Sequence, residues 1–221
     1  MGFKYEPIDL GYEDLTAETL SSGRVYRTPD GDYPSVTTVL SILSEEAIQA
    51  WRKRVGEEEA NRVGGKAAAR GTSVHSIIEA YLRDEDTTKF LPHIRQSLAS
   101  VRTVIDERLG SIYGLEVPLY SKYLGLAGRC DCIATFDGVP SIVDWKTSRY
   151  PKTKDKISNY FAQMAAYAIM WEERTGMPIT NTVVVMDVDD HEPLVFKEHR
   201  DNYTDLLLNT IKEYNRRKLF P

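Results

Sequence analysis

Apolar side chains recur between residues 44 and 109 at the spacing of amphipathic helices. They lie three and four positions apart, which places them on one helix face. The spacing predicts helical structure from Ser44, as N-cap, to about residue 83, with an interruption near Gly64-Gly65. It predicts a second helix over 92–109, which begins at Pro92. The two apolar stripes are Val74, Ile77, Ile78, Tyr81 and Leu82, and Ile94, Leu98, Val101, Ile105 and Leu109.

After this region the apolar period changes to two, which is typical of strands. An Asp137-Gly138 turn between two such segments predicts a hairpin. The predicted strands span residues 115–120, 128–136, 141–147, 182–188 and 194–197, and the predicted helices span 158–175 and 202–218. This order predicts an α/β fold, with a mixed β-sheet that contains a three-stranded antiparallel meander and is flanked by helices.

Two parts of the chain differ in composition and in predicted structure. Residues 1–34 are rich in Gly, Asp, Tyr and Thr, and predict an extension of loops with a short hairpin. Residues 35–221 predict a single domain, with a helical part at 44–110 and a sheet core at 111–199.

The composition is that of an ordinary globular protein, with 42% hydrophobic and 28% charged residues among 221. Disordered, collagen-like and disulfide-rich classes are therefore excluded. The longest apolar run, residues 164–171, is far shorter than the roughly 20 residues of a membrane span. Since the first residues also lack the features of a signal or transit peptide, we expect an intracellular, cytoplasmic protein.

Charge is unevenly distributed around a net value of -5. The net charge argues against a protein that coats nucleic acid and against a histone-like protein. However, residues 51–72 carry six basic and three acidic side chains, and residues 146–156 carry five basic and one acidic. Local basic segments of this kind keep nucleic acid open as a partner.

The predicted hairpin brings two carboxylates together. If Asp137-Gly138 is a two-residue turn, facing residues have numbers that sum to 275, so Asp131 faces Asp144. Lys146 and Arg129 share that face. Two interpretations remain open: an exposed face with Asp131–Lys146 or Arg129–Asp144 ion pairs, or a cation site between the carboxylates. In the same register, the opposite face carries Gly128, Cys130, Cys132 and Ala134 against Val143 and Trp145. A longer turn at Pro140 would instead shift the register by one and send the two carboxylates to opposite faces.

Further polar residues flank this hairpin along the chain. His75 ends a Gly-Thr-Ser-Val-His run that begins at Gly71, just off the apolar stripe of a predicted helix. Gln163 and Tyr167 share one face of a later helix. Each of these signals is weak alone, since such residues commonly occur in helices for structural reasons.

Together the motifs resemble the PD-(D/E)XK nuclease superfamily, in its RecB-like exonuclease branch. The resemblance rests on five segments in the family's order, within about residues 33–188. The surrounding sequence is similar to small bacteriophage exonucleases and to the mitochondrial genome maintenance exonuclease. The five segments are Gly71-Thr-x-x-His75, Glu116-Val-Pro-Leu, Gly128-Arg-Cys-Asp131, Val143-Asp144-Trp-Lys146-Thr-Ser and Gln163-x-x-x-Tyr167.

The resemblance implies a catalytic metal centre. Metal ligands would be His75, Asp131, Asp144 and the carbonyl of Trp145, and Lys146 would orient or deprotonate the attacking water. Gln163 and Tyr167 would support the site, and Glu116 occupies a position whose role varies within the family. Hard oxygen ligands with one imidazole suit Mg²⁺ or Mn²⁺. Two cysteines cannot hold the four-cysteine iron-sulfur cluster of some relatives.

Polar and basic residues around these motifs predict a path for DNA. They flank the expected centre and would track the phosphate backbone, while Tyr150 and Tyr160 would stack on bases. The predicted DNA-binding residues are Arg70, Thr72, Arg129, Thr147, Ser148, Arg149, Lys152 and Lys154, followed by Lys156.

The function implied is a metal-dependent deoxyribonuclease. We expect an exonuclease that acts on single-stranded or frayed DNA ends in replication, recombination or genome turnover, and that is phage-encoded. A structure-specific or restriction-type endonuclease on the same fold is the alternative, and a catalytically silent DNA-binding relative is a third. The intact set of Asp131, Asp144 and Lys146 argues against the silent relative. Strand polarity and an arch over the substrate by residues 51–70 stay open.

Overall fold

A computed structural model describes residues 2–219. Its strands are β1 (Thr16–Leu20), β2 (Gly23–Thr28), β3 (Gly31–Pro34), β4 (Leu109–Ser121), β5 (Leu126–Phe136), β6 (Val139–Ser148), β7 (Asn181–Val188) and β8 (Leu194–His199). Its helices are α1 (Val36–Leu40), α2 (Ile42–Val55), α3 (Glu57–Leu82), α4 (Pro92–Arg108), α5 (Ser158–Thr175) and α6 (Thr204–Leu219), with 3-10 turns at Lys154–Ile157 and Arg200–Tyr203.

The central sheet has five strands in the order β4-β5-β6-β7-β8. Strands β4, β5 and β6 form the predicted antiparallel meander, and β6 and β7 are parallel. Helix α5 makes the crossover that two parallel neighbours require. The predicted α/β fold with a mixed sheet is confirmed.

Helices cover both faces of this sheet. On one face, α5 packs its apolar side chains, including Phe161 and Trp171, against β5, β6 and β7. On the other face, the predicted stripes of α3 and α4 pack against Phe136 and Val143. The parallel strand β7 is buried on both sides, which explains its unbroken apolar run.

The turn between β5 and β6 is anchored by charge. Asp137 and Gly138 both have left-handed φ angles, of 51° and 78°, as a two-residue hairpin turn requires. Arg108 donates two hydrogen bonds to the Asp137 carboxylate, at 2.8 and 2.9 Å, and Lys197 is also in contact with it. These two cations hold the pKa of Asp137 well below its ordinary value.

Residues 16–34 form a three-stranded antiparallel sheet instead of loops with one hairpin. The second pairing was missed because β3 has only four residues, and its apolar positions, Tyr33 and Pro34, are half-buried. The small sheet packs on the central sheet through Tyr26 and Leu15, which lie against Tyr120 and Ala127.

The helical part differs from prediction at two points. Helix α2 begins at Ile42 after Ser41, so Ser44 lies inside the helix and is not its N-cap. The helical break falls at Gly56, whose φ of 88° is unsuited to a helix, whereas Gly64 and Gly65 lie within the continuous, largely exposed first half of α3. Within residues 2–219, no helix is both long and apolar enough to cross a membrane.

Candidate metal centre and nucleic-acid groove

The candidate site begins where β5 and β6 separate. Paired residues from Phe136–Val139 to Cys132–Val143 have numbers that sum to 275, as predicted for a two-residue turn. The backbone ladder ends there, immediately before Asp131 and Asp144. Instead of a backbone carbonyl, the Asp131 side chain accepts a hydrogen bond of 3.1 Å from the Trp145 N–H.

Strand β5 changes its orientation at the same point. Cys130 belongs to the core under α5, whereas Cys132 and Ala134 belong to the core under α3 and α4. The prediction that Gly128, Cys130, Cys132 and Ala134 share one face is therefore wrong. The alternation of side chains along β5 fails at Asp131, which lies opposite Glu116 on β4. Glu116 itself has a left-handed φ of 51°.

A histidine and two carboxylates converge at this irregularity. His75 projects from α3 next to its buried stripe, and its Nδ1 lies 3.4 Å from Asp131 Oδ2. Glu116 on β4 lies opposite Asp131, between the Leu115–Cys132 and Val117–Cys130 pairs. One ligand atom from each of His75, Glu116 and Asp131 lies within 4.8 Å of the others. This grouping is a candidate metal site. It includes Glu116, whose role the resemblance left open.

Asp144 lies beside this group, on the α5 side of β6. Its side chain is only 2% exposed, and Lys146 Nζ lies 2.5 Å from Oδ2. That contact lacks hydrogen-bond geometry, so Asp144 Oδ2 is a buried oxygen with no hydrogen-bond donor among residues 2–219. Gln163 Nε2 reaches Oδ1 at a long 3.5 Å. Arg129 pairs with Asp14, and Lys146 pairs with Asp144, so neither Arg129–Asp144 nor Asp131–Lys146 is an ion pair in the described structure.

The charges of the site are strongly coupled. Burial raises the pKa of Asp144 to about 6, with a further contribution from Asp131, although Lys146 opposes it. Burial and the charge of Asp131 raise the pKa of Glu116 to about 7. Burial opposes the charged forms of Asp131 and His75, but their mutual contact lowers the pKa of Asp131 and raises that of His75. Excess negative charge in a desolvated site is the condition that a bound cation relieves.

The donor set and the unsatisfied oxygen fit a divalent cation. Carboxylate oxygens are hard ligands, and one imidazole is compatible with Mg²⁺ or Mn²⁺. The buried Asp144 Oδ2 is held by the ion pair with Lys146 and accepts no hydrogen bond among residues 2–219, so it is available as a ligand oxygen. The predicted ligands His75, Asp131 and Asp144 thus lie around one region of the structure, and Glu116 joins them.

Helix α5 supports the site along one stripe. Gln163 contacts Asp144, and Tyr167, one turn later, is buried against Gly128. A Cβ atom at Gly128 would lie 2.8 Å from the Tyr167 ring, so the strand needs glycine at this close approach. Tyr160, one turn earlier, contacts Lys146.

Most of the predicted DNA-binding residues already contact protein groups. Arg70 pairs with Asp187 at 2.7 Å and with Asp189 at 2.5 Å. Lys154 pairs with Glu198. Arg129 donates to the Glu116 carbonyl and contacts Asp14. The hydroxyls of Thr72 and Ser148 donate to the carbonyls of Ala68 and Tyr150, respectively. Arg149 lies over the Tyr150 ring, Lys152 donates to the Tyr160 hydroxyl, and Thr147 is half-buried on β6.

A cavity of about 580 Å³ opens onto the site. One wall carries His75, Asp131 and Lys146, and another comes from the small N-terminal sheet and α1. No site residue was predicted from the sequence on the second wall, because its residues lie outside the five segments that carry the family resemblance. Its members are Ala17, Arg24, Tyr26, Ser35 and Thr37.

Comparison with known proteins agrees with the geometry. The model of the PD-(D/E)XK nuclease superfamily matches residues 89–216. The chain belongs to the PD-(D/E)XK nuclease superfamily. The match includes the meander and α5, and confirms the resemblance noted from the sequence.

The curated relatives are exonucleases by name. Mitochondrial genome maintenance exonuclease 1 of Xenopus tropicalis is 27% identical over 178 residues, which are 74% of this chain and 51% of that protein. The human protein of the same name is 27% identical over 130 residues, covering 54% of this chain and 38% of the relative. The chain thus spans about half or less of these relatives. A solved structure from Eubacterium rectale, described as a candidate exonuclease, has a TM-score of 0.46 at 16% identity, covering 72% of this chain and 71% of that one.

Proposed function

We propose that this nuclease is a Mg²⁺- or Mn²⁺-dependent exonuclease that hydrolyses DNA from single-stranded or frayed ends. The observation that carries the proposal is the group of Asp131, Asp144 and Lys146 where β5 and β6 separate, with the Lys146 ammonium paired to the buried Asp144 carboxylate. The names of the relatives support the exonuclease class. A cytoplasmic role in replication, recombination or genome turnover, and a bacteriophage source, belong to the same proposal and rest on the resemblance alone.

His75, Asp131, Asp144 and the Trp145 carbonyl would hold the cation, with Glu116 as a further ligand. A bound Mg²⁺ or Mn²⁺ supplies Lewis-acid stabilisation to phosphodiester oxygens. The protein's part is to hold one ligand atom of each of His75 on α3, Glu116 on β4 and Asp131 on β5 within 4.8 Å of one another. Asp144 and Trp145 lie on the adjacent strand β6, where the Trp145 N–H donates to Asp131.

Lys146 would act as a cation and not as a base. Burial lowers the pKa of its ammonium, but the charges of Asp144 and Asp131 outweigh burial and raise it. A side chain held in the ammonium form donates hydrogen bonds, so Lys146 would orient the attacking water and stabilise charge on the phosphate in the transition state. Of the two roles that the resemblance implied for Lys146, orienting the water or deprotonating it, we therefore propose the first.

Arg24 would bind the phosphate backbone on the opposite wall of the cavity. Its side chain is exposed and has no ion-pair partner among residues 2–219, whereas Arg129 and Lys146 on the same cavity are paired. Arg24→Ala is expected to weaken DNA binding and to reduce its salt dependence by about one phosphate contact. Arg27→Ala, on the same strand but paired with Glu18, is the matched control. Equal salt dependence in wild type and Arg24→Ala would remove Arg24 from the groove.

Cleavage of end-labelled linear and closed circular single strands tests the proposal. With Mg²⁺ or Mn²⁺, the linear strand is expected to be degraded and the circle to resist, and EDTA is expected to abolish cleavage. Equal cleavage of circle and linear strand would establish an endonuclease instead. DNA binding without cleavage of any substrate would indicate a catalytically silent protein.

A further inference from the structure

Three residues of α5 form a stripe that faces the candidate site. Tyr160, Gln163 and Tyr167 follow one another at helical spacing, three and four positions apart, so they lie on one side of the helix. Each contacts a different strand residue, namely Lys146, Asp144 and Gly128 respectively. The resemblance assigns roles to Gln163 and Tyr167, and leaves Tyr160 with only a suggested contact to bases.

The ring of Tyr160 is engaged by lysines. Lys146 Nζ and Lys152 Nζ each lie 5.1 Å from the ring centroid, within the range of a cation–π interaction. Lys152 also donates a hydrogen bond of 2.9 Å to the Tyr160 hydroxyl. A ring held by these contacts in a half-buried position is less accessible to a DNA base than the sequence suggested.

The contact matters because Lys146 has a flexible four-carbon side chain. The Asp144 carboxylate holds its ammonium from one direction, but without hydrogen-bond geometry. The aromatic face provides a second, weakly directional contact that limits where the ammonium can lie while leaving its N–H groups available.

We propose that Tyr160 is a positioning residue that holds the ammonium of Lys146 toward the reacting phosphate through the face of its ring. The inference rests on the proposed role of Lys146. In this proposal the Tyr160 ring positions Lys146, whereas the Tyr160 hydroxyl only accepts the hydrogen bond from Lys152.

Two substitutions at Tyr160 separate ring from hydroxyl. Tyr160→Leu removes the aromatic face and is expected to lower kcat about tenfold at saturating DNA, with KM changed by less than about twofold. Tyr160→Phe keeps the face and is expected to cleave within about twofold of wild type. Circular dichroism and thermal unfolding verify the fold, and Tyr160→Met replaces the leucine variant if that variant does not fold.

A double-mutant cycle with Lys146→Ala tests whether Tyr160 acts through the lysine. Tyr160→Leu is expected to cause no further loss in the Lys146→Ala background. Additive losses, a phenylalanine variant as impaired as the leucine variant, or wild-type kcat in Tyr160→Leu would each overturn the proposal. A raised KM with unchanged kcat would indicate base stacking and overturn it as well. If Lys146→Ala itself cleaves at the wild-type rate, the proposed function fails, and that outcome is distinct from failure at Tyr160 alone.

Discussion

Replacing Glu116 with glutamine is expected to stabilise the metal-free protein at pH 8 and to have little effect at pH 4.5. Burial and the charges of Asp131 and Glu79 raise the pKa of Glu116 from 4.5 to about 7. A carboxyl group with a raised pKa in the folded state contributes stability that is present below its unfolded pKa and is lost as pH rises through the folded value. The wild type therefore loses stability between pH 4.5 and about 7, and the glutamine variant lacks this loss.

The size of the effect follows from the same shift. At about 1.4 kcal/mol per pH unit, ionisation at about 7 instead of 4.5 corresponds to an upper limit of ~3 kcal/mol. Glu116 is half-buried and faces the open cavity, so solvent screening reduces the expected gain to about 1–2 kcal/mol at pH 8.

Urea unfolding in EDTA at pH 4.5 and pH 8 measures the difference. Glu46→Gln, on the exposed surface of α2, is the matched control for replacement of a glutamate by glutamine. A Glu116→Gln protein that is no more stable than wild type at pH 8 would refute the account of charge crowding at this site.

Two further stability changes are expected. Arg70→Ala is expected to lower the free energy of unfolding by about 2–3 kcal/mol, because it leaves the buried Asp187 carboxylate without its partner. The salt dependence of DNA binding is expected to stay unchanged. Unchanged stability with a reduced salt dependence would instead make Arg70 a DNA contact. Asp137→Asn is expected to cost about 1 kcal/mol at pH 7 and progressively less below pH 3.8, since the depressed pKa of Asp137 gives stability that is lost as pH falls. Asp190→Asn, also at a left-handed turn position, is the control, and equal effects of both substitutions would contradict the ion-pair explanation.

Local patterns predicted the elements that position the site. Helix α5 has the predicted bounds, because its apolar face and the following Gly176 both mark it in the sequence. The β5–β6 register followed from the Asp137-Gly138 turn alone, since a two-residue turn fixes every later pair. Turn chemistry is therefore enough to place Asp131 and Asp144 together at one end of the hairpin.

The features that the sequence did not predict depend on contacts between residues far apart in the chain. Arg70 and Asp187 are 117 positions apart, and no local pattern distinguishes an arginine in an ion pair from one that binds DNA. The left-handed φ of Glu116 and the change of side at Asp131 arise where β5 separates from β6 while it stays paired with β4, which a strict period of two does not describe. The second wall of the cavity depends on how the small N-terminal sheet packs, and Arg24 was missed for that reason.

Single-turnover cleavage by Lys146→Ala at saturating DNA and Mg²⁺ tests the central claim most directly. Lys146 lies 2.5 Å from the buried Asp144 and is held as an ammonium, so its loss is expected to fall on the chemical step. We expect the rate to decrease by roughly 10²- to 10³-fold, the scale for removal of one preorganised electrostatic donor, with DNA affinity changed little. Lys212→Ala, on the exposed surface of α6, is expected to cleave as wild type does. A Lys146→Ala protein with wild-type turnover would contradict the assignment of this site as the catalytic centre.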